Sequence, residues 1–380
     1  MQTCTRCIMP ETQEGVTFDE MGICTACRSS EQKMHINWQE RRSELEKILS
    51  EAKAKSGNNY DCIVPISGGK DSFYQLHLLV KEYKLNPLAV TFNSNWRSET
   101  GQFNLALALE TFQVDHIEFT PRRAGVNELA RKSLEKIGDA CWHCHAGVGA
   151  FPLQVAVKWK IPLLIWGESI SEASGRATYD DPILKFDRDY FEKVSAKITP
   201  AEMGENFLYP YQLPTPQECE AVGIRGIHLG DFLFWDDERQ MEFVRDTYGW
   251  RETEMEGTYK CYKSAECVMA GVHDFTCQQK RGYGRATHQA SVDVRNGLLT
   301  REEAMALAAQ YDPERPHALD YYLKITGLTE EEFYKILESH RHPVLTKAPP
   351  VSPKQRSHRE TLTPYPLQVL GGQAGAHGVD

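Results

Sequence analysis

The chain has no apolar run approaching the ~18–20 residues that cross a bilayer, and it has no surplus of positive charge. Its 43 Lys and Arg stand against 53 Asp and Glu, a formal net charge of −10. The first absence predicts no membrane span. The second argues against a nucleic-acid partner, because affinity for a polyanion comes mainly from basic side chains that neutralise phosphates. The start Met1-Gln2-Thr3-Cys4 lacks the basic and apolar regions of a secretory signal, so a cytoplasmic location is expected. There, 11 cysteines read as metal or redox residues more naturally than as a disulfide framework. At 380 residues the chain exceeds the ~250–300 at which a single core stops growing, and more than one unit is expected.

What the sequence does contain is Ser67-Gly68-Gly69-Lys70-Asp71-Ser72. Asp61 to Ile66 reads as a buried strand, while Phe73, Leu76, Leu79, Val80 and Tyr83 recur at helical spacing. The hexapeptide is therefore a strand-to-helix turn. Glycines let the backbone approach a ligand closely, and the free N–H groups of a helix's first turn attract an anion. The spacing fits neither the Walker A loop nor the Gly-x-Gly-x-x-Gly dinucleotide fingerprint.

Cys4-Thr5-Arg6-Cys7 and Cys24-Thr25-Ala26-Cys27 form two Cys-x-x-Cys knuckles, the spacing of a zinc ribbon with all four ligands from protein. So short a segment has little core to fold around without a metal. A third pair, Cys141 and Cys144 within Cys-Trp-His-Cys-His, admits an iron–sulfur or sulfur-carrying role, a haem attachment site, or two partly buried thiols touching substrate.

Between Trp38 and Trp166 helices and strands alternate. Helices are expected over 38–54, 71–84, 99–112 and 125–137, and strands over 61–66, 88–92, 114–119 and 161–166. This predicts an α/β fold with a doubly wound parallel sheet, whose ligands gather at the carboxyl ends of the strands. Asn93 is a candidate there, though a plain turn residue is as good a reading, and so are Gly167 and Glu168. Glu168 is placed to bind Mg²⁺ or a substrate amide. Later helical runs near 236–248, 301–310 and 330–340 predict a mostly helical C-terminal lobe. Within it Lys280, Arg285 and Arg295 form either a solvated basic face or a clamp for an anionic substrate. The expected organisation is a ribbon over 1–35, a nucleotide domain over 36–172, a substrate or partner lobe over 173–345 and a disordered tail over 346–380, where Pro, Ser, Gln and Gly replace apolar periodicity.

The Ser-Gly-Gly-x-Asp-Ser signature resembles that of the PP-loop ATP pyrophosphatases, from roughly Tyr60 to Ser171. The resemblance implies an adenine nucleotide alpha hydrolase-like domain and cleavage of ATP between its α and β phosphates. The knuckles, Cys141/Cys144, Ile161 to Glu168, Gly284 to Thr287 and Asp293 to Arg295 together resemble the N-acetyl sugar amidotransferases of bacterial surface-polysaccharide and flagellin-glycan pathways. That implies conversion of an acetamido group on a sugar acid, often nucleotide-linked, to an acetamidino group. Ammonia would come from a partner pair similar to the glutaminase and cyclase subunits of histidine biosynthesis. ATP, Mg²⁺ and Zn²⁺ are the implied cofactors. Ser67, Gly68, Gly69, Lys70, Asp71 and Ser72 would hold the phosphates, with Lys70, Asp71 and Glu168 catalytic and Glu172 a second candidate acceptor for the proton of ammonia. A homo-oligomer is compatible with this reading. A tRNA thiolase working through Cys141 and Cys144, and a nucleotide-binding scaffold without turnover, are the alternatives.

Overall fold

The computed structural model describes residues 1–169, 179, 190–204 and 208–353. Glu172 and the tail beyond residue 353 lie outside them. Five strands, β1 (Cys62–Pro65), β2 (Pro87–Phe92), β3 (His116–Phe119), β4 (Leu163–Trp166) and β5 (Arg225–His228), form one sheet in the order β3-β2-β1-β4-β5. Every pairing is parallel. From β1 the chain builds outward to β2 and β3, then returns to add β4 and β5 on the other side. The reversal lies between β1 and β4, the point at which open α/β sheets bind ligands beyond their strand ends.

Preceding the sheet are α1 (Thr25–Lys33) and α2 (Trp38–Ser56). The crossovers are α3 (Lys70–Leu76), α4 (Glu99–Phe112), α5 (Arg123–Ile137) and α6 (Trp142–Trp159). A Ser98 side chain that accepts from Gly101 N starts α4, the preferred way to satisfy an orphan amide at a helix N-terminus. Alternate residues of β1 serve opposite faces. Cys62 and Val64 join Leu45, Phe73, Leu105 and Phe112 on one side, and Ile63 joins Leu88, Val90, Leu153 and Leu164 on the other. The helix expected over 71–84 is α3 followed by a π-helical stretch, His77–Glu82. The strand β5 lies past the expected domain limit at 172, so the sheet draws on a segment that sequence reading assigned to the C-terminal lobe.

Short helices α7 (Pro200–Met203) and α8 (Pro216–Val222) lead to β5, and α9 (Asp237–Tyr248) follows it. The C-terminal lobe is helical: α10 (Ala270–Arg281), α11 (Arg285–Arg295), α12 (Arg301–Tyr311), α13 (Ala318–Thr326) and α14 (Glu330–Ser339). It shares a core with the sheet domain, where Val126, Ala130 and Leu134 of α5 meet Phe275, Leu319 and Phe333. Residues up to 353 still contact this lobe: Gln278 Nε2 donates to Pro350 O, and Ser352 N donates to Pro313 O. Among the described residues no helix is long and apolar enough to cross a membrane.

Candidate functional site

Loop 67–69 leaves β1 and turns directly into α3. Gly68 adopts φ 94°, and a Cβ there would stand 2.4 Å from Gly101 O, so only glycine fits this close approach. Gly69 is the N-cap of α3 and makes no side-chain cap, so the first-turn amides keep their capacity for an anion. Ser72 Oγ donates to Gly69 O at 3.0 Å and Gly69 N donates to Ser67 Oγ at 3.3 Å, which holds the loop shut on itself.

Lys70 is 2% exposed, a position a lysine keeps only when its charge is paired. Its Nζ lies 2.5 Å from Asp71 Oδ1 and 2.7 Å from Asp237 Oδ1. Asp237, at the start of α9, also accepts from Lys263 Nζ. Burial works against its charge, but Lys263 and Lys70 together hold its carboxyl well below the usual carboxylate range. Asp71, Glu168 and Asp237 each place a carboxylate oxygen within 4.8 Å of the others. Burial, with Asp71 adding like-charge repulsion, pushes Glu168 up to about 7. The three carboxylates offer the all-oxygen donor set that a hard divalent cation such as Mg²⁺ takes, with the Lys70 and Lys263 ammonium groups already paired to two of them.

Two of these carboxylates, Asp71 and Glu168, stand between two cavities. One, of about 430 Å³, is lined by Ser67 and Ser72 together with Phe92, Trp166, Gly167 and His228. Trp166 stacks on His228 with centroids 5.4 Å apart, which makes one wall a flat aromatic surface. The other, of about 420 Å³, is lined by Lys70, Lys263, Glu266, His273 and Arg285 among others. Asp71 and Glu168 border both.

Asp237, Lys263 and Glu266 escaped sequence reading. Asp237 belongs to an acidic helix start, an ordinary feature of α-helices, and Lys260 to Glu266 mixes charge and aromatics without a period. Glu266 reaches the loop because its own backbone is stitched to the β2–α4 connection: Ser98 N donates to Glu266 O at 2.8 Å and Val268 N to Trp96 O at 2.9 Å. Its Oε1 accepts from Ser67 Oγ at 3.3 Å, while Oε2 is buried with no hydrogen-bond partner. Burial pushes this carboxyl up.

Other candidates fall elsewhere. Asn93 is buried at the end of β2, where Nδ2 donates to Glu118 Oε1 at 3.0 Å and Oδ1 accepts from Asn95 N; it lines neither cavity, and the turn reading describes it. Arg285 does border the second cavity, but Asp274 grips its guanidinium through two contacts and Nη1 donates to Ser264 Oγ at 3.0 Å. Lys280 is buried and donates to Ile137 O at 3.1 Å, away from that cavity. Arg295 points at the N-terminal knuckles, its Nη1 4.0 Å from Cys7 Sγ. Burial pushes the Cys144 thiol up to about 12 and holds that of Cys141 well above its ordinary value, so neither is a thiolate at neutral pH without a cation to stabilise it.

Cys4, Cys7, Cys24 and Cys27 come together as a buried set. Cys4 and Cys27 sulfurs lie 3.9 Å apart and those of Cys7 and Cys24 3.7 Å. A tetrahedron with metal–sulfur bonds near 2.3 Å has edges of about 3.8 Å, so these four side chains fit one tetrahedral Zn²⁺. Backbone amides support the sulfurs, Cys24 N donating to Cys4 Sγ at 3.2 Å and Met9 N to Cys7 Sγ at 3.4 Å. The segment also reaches the second cavity, where Gln13 forms part of the lining and accepts from Tyr283 Oη.

Comparisons with known proteins bear on parts of the chain. Over 113 residues it is 33% identical to the uncharacterized protein MJ1599 of Methanocaldococcus jannaschii, a stretch that makes up 30% of this chain and 40% of that one. The chain thus spans less than half of that relative. The structure of NMN synthetase from Francisella tularensis aligns with 58% of this chain and 98% of its own at 12% identity, but with a TM-score of 0.29 the likeness says nothing about chemistry here. Residues 256–348 match the family model described as LPS biosynthesis protein WbpG-like, C-terminal domain. That segment carries Lys263, Glu266, His273 and Arg285, and so supplies one wall of the second cavity.

Proposed function

We propose that this protein is an ATP-using, AMP-forming amidotransferase of surface-glycan biosynthesis, which replaces the acetamido oxygen of an N-acetyl sugar acid with nitrogen from ammonia. The observation that carries this reading is the partition: Asp71 and Glu168 border both an aromatic cavity beside the loop at 67–69 and a second cavity whose lining mixes cations and carboxylates. Transfer of AMP to a second substrate needs its acceptor atom at such a boundary. The match of residues 256–348 to an LPS-biosynthesis family model supports a glycan precursor as that substrate.

An amide carbonyl is a poor electrophile and its oxygen a poor leaving group. In this reading the acetamido oxygen attacks the α-phosphorus, pyrophosphate departs, ammonia adds to the carbon, and AMP leaves with the oxygen. The loop amides and Lys70 stabilise the charge that develops on pyrophosphate, the kind of preorganised electrostatics that usually contributes most to catalysis. Asp71 and Asp237 would hold Mg²⁺, which would neutralise phosphate charge, and Glu168 beside them would stay free of it. Glu168, with a pKa near neutrality, is suited to accept the proton that ammonia sheds. Lys263, held charged by Asp237 despite burial, faces the cavity for the sugar acid. Zn²⁺ at the four N-terminal cysteines has a structural role, and a glutaminase pair supplies ammonia.

Protein supplied with ATP, Mg²⁺, ammonium chloride and a nucleotide-linked N-acetyl sugar acid should form AMP, pyrophosphate and a product in which one oxygen has become NH. Release of ADP, or of AMP only with tRNA and a sulfur donor, would overturn the proposal; nucleotide binding without turnover would leave a scaffold. Asp71→Asn should lower AMP formation by about 100-fold or more, the scale of losing an electrostatic contact to a transition state, while the four-cysteine site stays loaded.

A further inference from the structure

Cys141 belongs to a grouping that its Cys-x-x-Cys spacing did not point to. Asp139, Cys141 and His273 each bring one potential ligand atom to within 4.8 Å of the other two. We propose that Asp139, Cys141 and His273 form a second metal site, for Zn²⁺ or an ion of similar borderline softness, on the wall of the second cavity. The proposal does not depend on the reaction assigned above.

The three donors come from two separate elements. Asp139 and Cys141 lie in the connection between α5 and α6, and His273 lies on the first turn of α10. That connection is firmly held. Gly138 ends α5 in the left-handed region, Ser133 Oγ donates to Asp139 O at 2.6 Å, and Cys141 N donates to Asp139 Oδ1 at 2.9 Å. Asp139 and Cys141 are buried, whereas His273 is partly open and borders the cavity. Asp139 Oδ1 and His273 Nδ1 are 3.0 Å apart. Two ligand atoms about 2.0–2.1 Å from a tetrahedral Zn²⁺ are separated by about 3.3 Å, so a shift of a few tenths of an ångström would exchange that hydrogen bond for a shared ion.

Cys141 Sγ is brought to the same point as the Asp139–His273 pair, while Cys141 also packs in the apolar cluster with Val126, Leu134 and Phe275. Sulfur, nitrogen and oxygen donors together select a borderline transition ion over Mg²⁺ or Ca²⁺. The ring of His145, one helical turn beyond Cys141, has its centroid 5.1 Å from that of His273, close enough to order the imidazole. Three protein donors are one short of a tetrahedral set. That is the composition of zinc sites whose fourth ligand is water or a substrate oxygen, and the adjoining cavity gives such a ligand access.

Metal content per chain tests this on the full-length protein, after equilibration with excess Zn²⁺ and removal of loosely bound metal. Two equivalents are expected in the wild type, two in Cys144→Ser, and one in both Cys141→Ser and His273→Ala. One equivalent in the wild type, or two retained in both the Cys141 and His273 variants, would overturn the proposal. Should the buried variants fail to fold, zinc X-ray absorption on the wild type decides. A shell of sulfur with imidazole nitrogen supports the second site, and a shell of sulfur alone, or of sulfur and oxygen without imidazole, refutes it.

Discussion

At Gly68 two demands coincide that a side chain cannot meet: a φ of 94° and a Cβ position 2.4 Å from Gly101 O. An L-residue in the left-handed region costs roughly 1–2 kcal/mol, and the obstacle is backbone, which cannot swing aside. Gly68→Ala should therefore destabilise the protein by about 2–4 kcal/mol and weaken ATP binding at least tenfold. Denaturant melts and calorimetric titration with ATP check both, and an unchanged midpoint with unchanged affinity would contradict this account. Loop residues of this kind are legible in a sequence because their constraint is local; six consecutive positions carry it. Lys263 and Glu266 are not, since their meaning depends on meeting Asp237 and Ser67 from distant parts of the chain. Arg295 shows the reverse case: its residue type admitted a solvated face or a substrate clamp, but packing places it beside Cys7.

The element scale is represented by the join between β3 and the connection after β2. Glu118 of β3 and Arg97 form a pair at 2.6 Å, with Arg97 7% and Glu118 26% exposed. Burial alone would raise the Glu118 carboxyl, but the Arg97 guanidinium, with help from Asn93, outweighs it and leaves it below its ordinary value. A carboxylate depressed in the folded state stabilises that state above its unfolded pKa, about 4.3 for Glu. The benefit fades as pH falls through the lower folded value. Glu118→Gln should thus cost about 1–3 kcal/mol at pH 7, and the gap from the wild type should narrow below pH ~4. Urea titrations at both pH values measure it, and a gap that does not change with pH would argue against the pair. Helix α4 was readable to the residue because Ser98 caps it and apolar positions recur along it. Strand β5 was not. Arg225-Gly226-Ile227-His228 has no alternation of its own, and it becomes a strand because β4 presents a free edge for all four residues to pair with.

In the whole molecule the N-terminal knuckles are not a separate appendage. Arg301 Nε donates to Cys7 O at 3.0 Å and to Cys4 O at 3.3 Å, Thr12 Oγ1 donates to Arg281 O at 2.7 Å, and Val294 packs into the cysteine cluster. The helical lobe thereby clamps the carbonyls of both residues that begin and end the first knuckle. Arg301→Ala should release zinc to a chelator roughly tenfold faster, since losing charged hydrogen bonds costs about 1.5–3 kcal/mol. Release kinetics read by a colorimetric chelator test this; an unchanged rate would mean that the knuckle holds its metal without the lobe. The same packing brings Gln13 to the second cavity, so loss of zinc is expected to disturb that wall as well as the N-terminus.

Contiguous signals were enough to specify the glycine-rich turn between β1 and α3, the meeting of the four knuckle cysteines and the alternation of strand and helix that builds a parallel sheet. Each rests on backbone conformation, ligand spacing or periodicity within a few dozen residues, and so each is written in local order. The grouping of Asp71, Glu168 and Asp237, the reach of Glu266 to Ser67, the turning of Arg295 toward sulfur and the meeting of Asp139, Cys141 and His273 arise from packing alone. Charged and ligating side chains acquire their roles from the neighbours and burial that the fold supplies. Those neighbours come from helices and loops far apart along the chain.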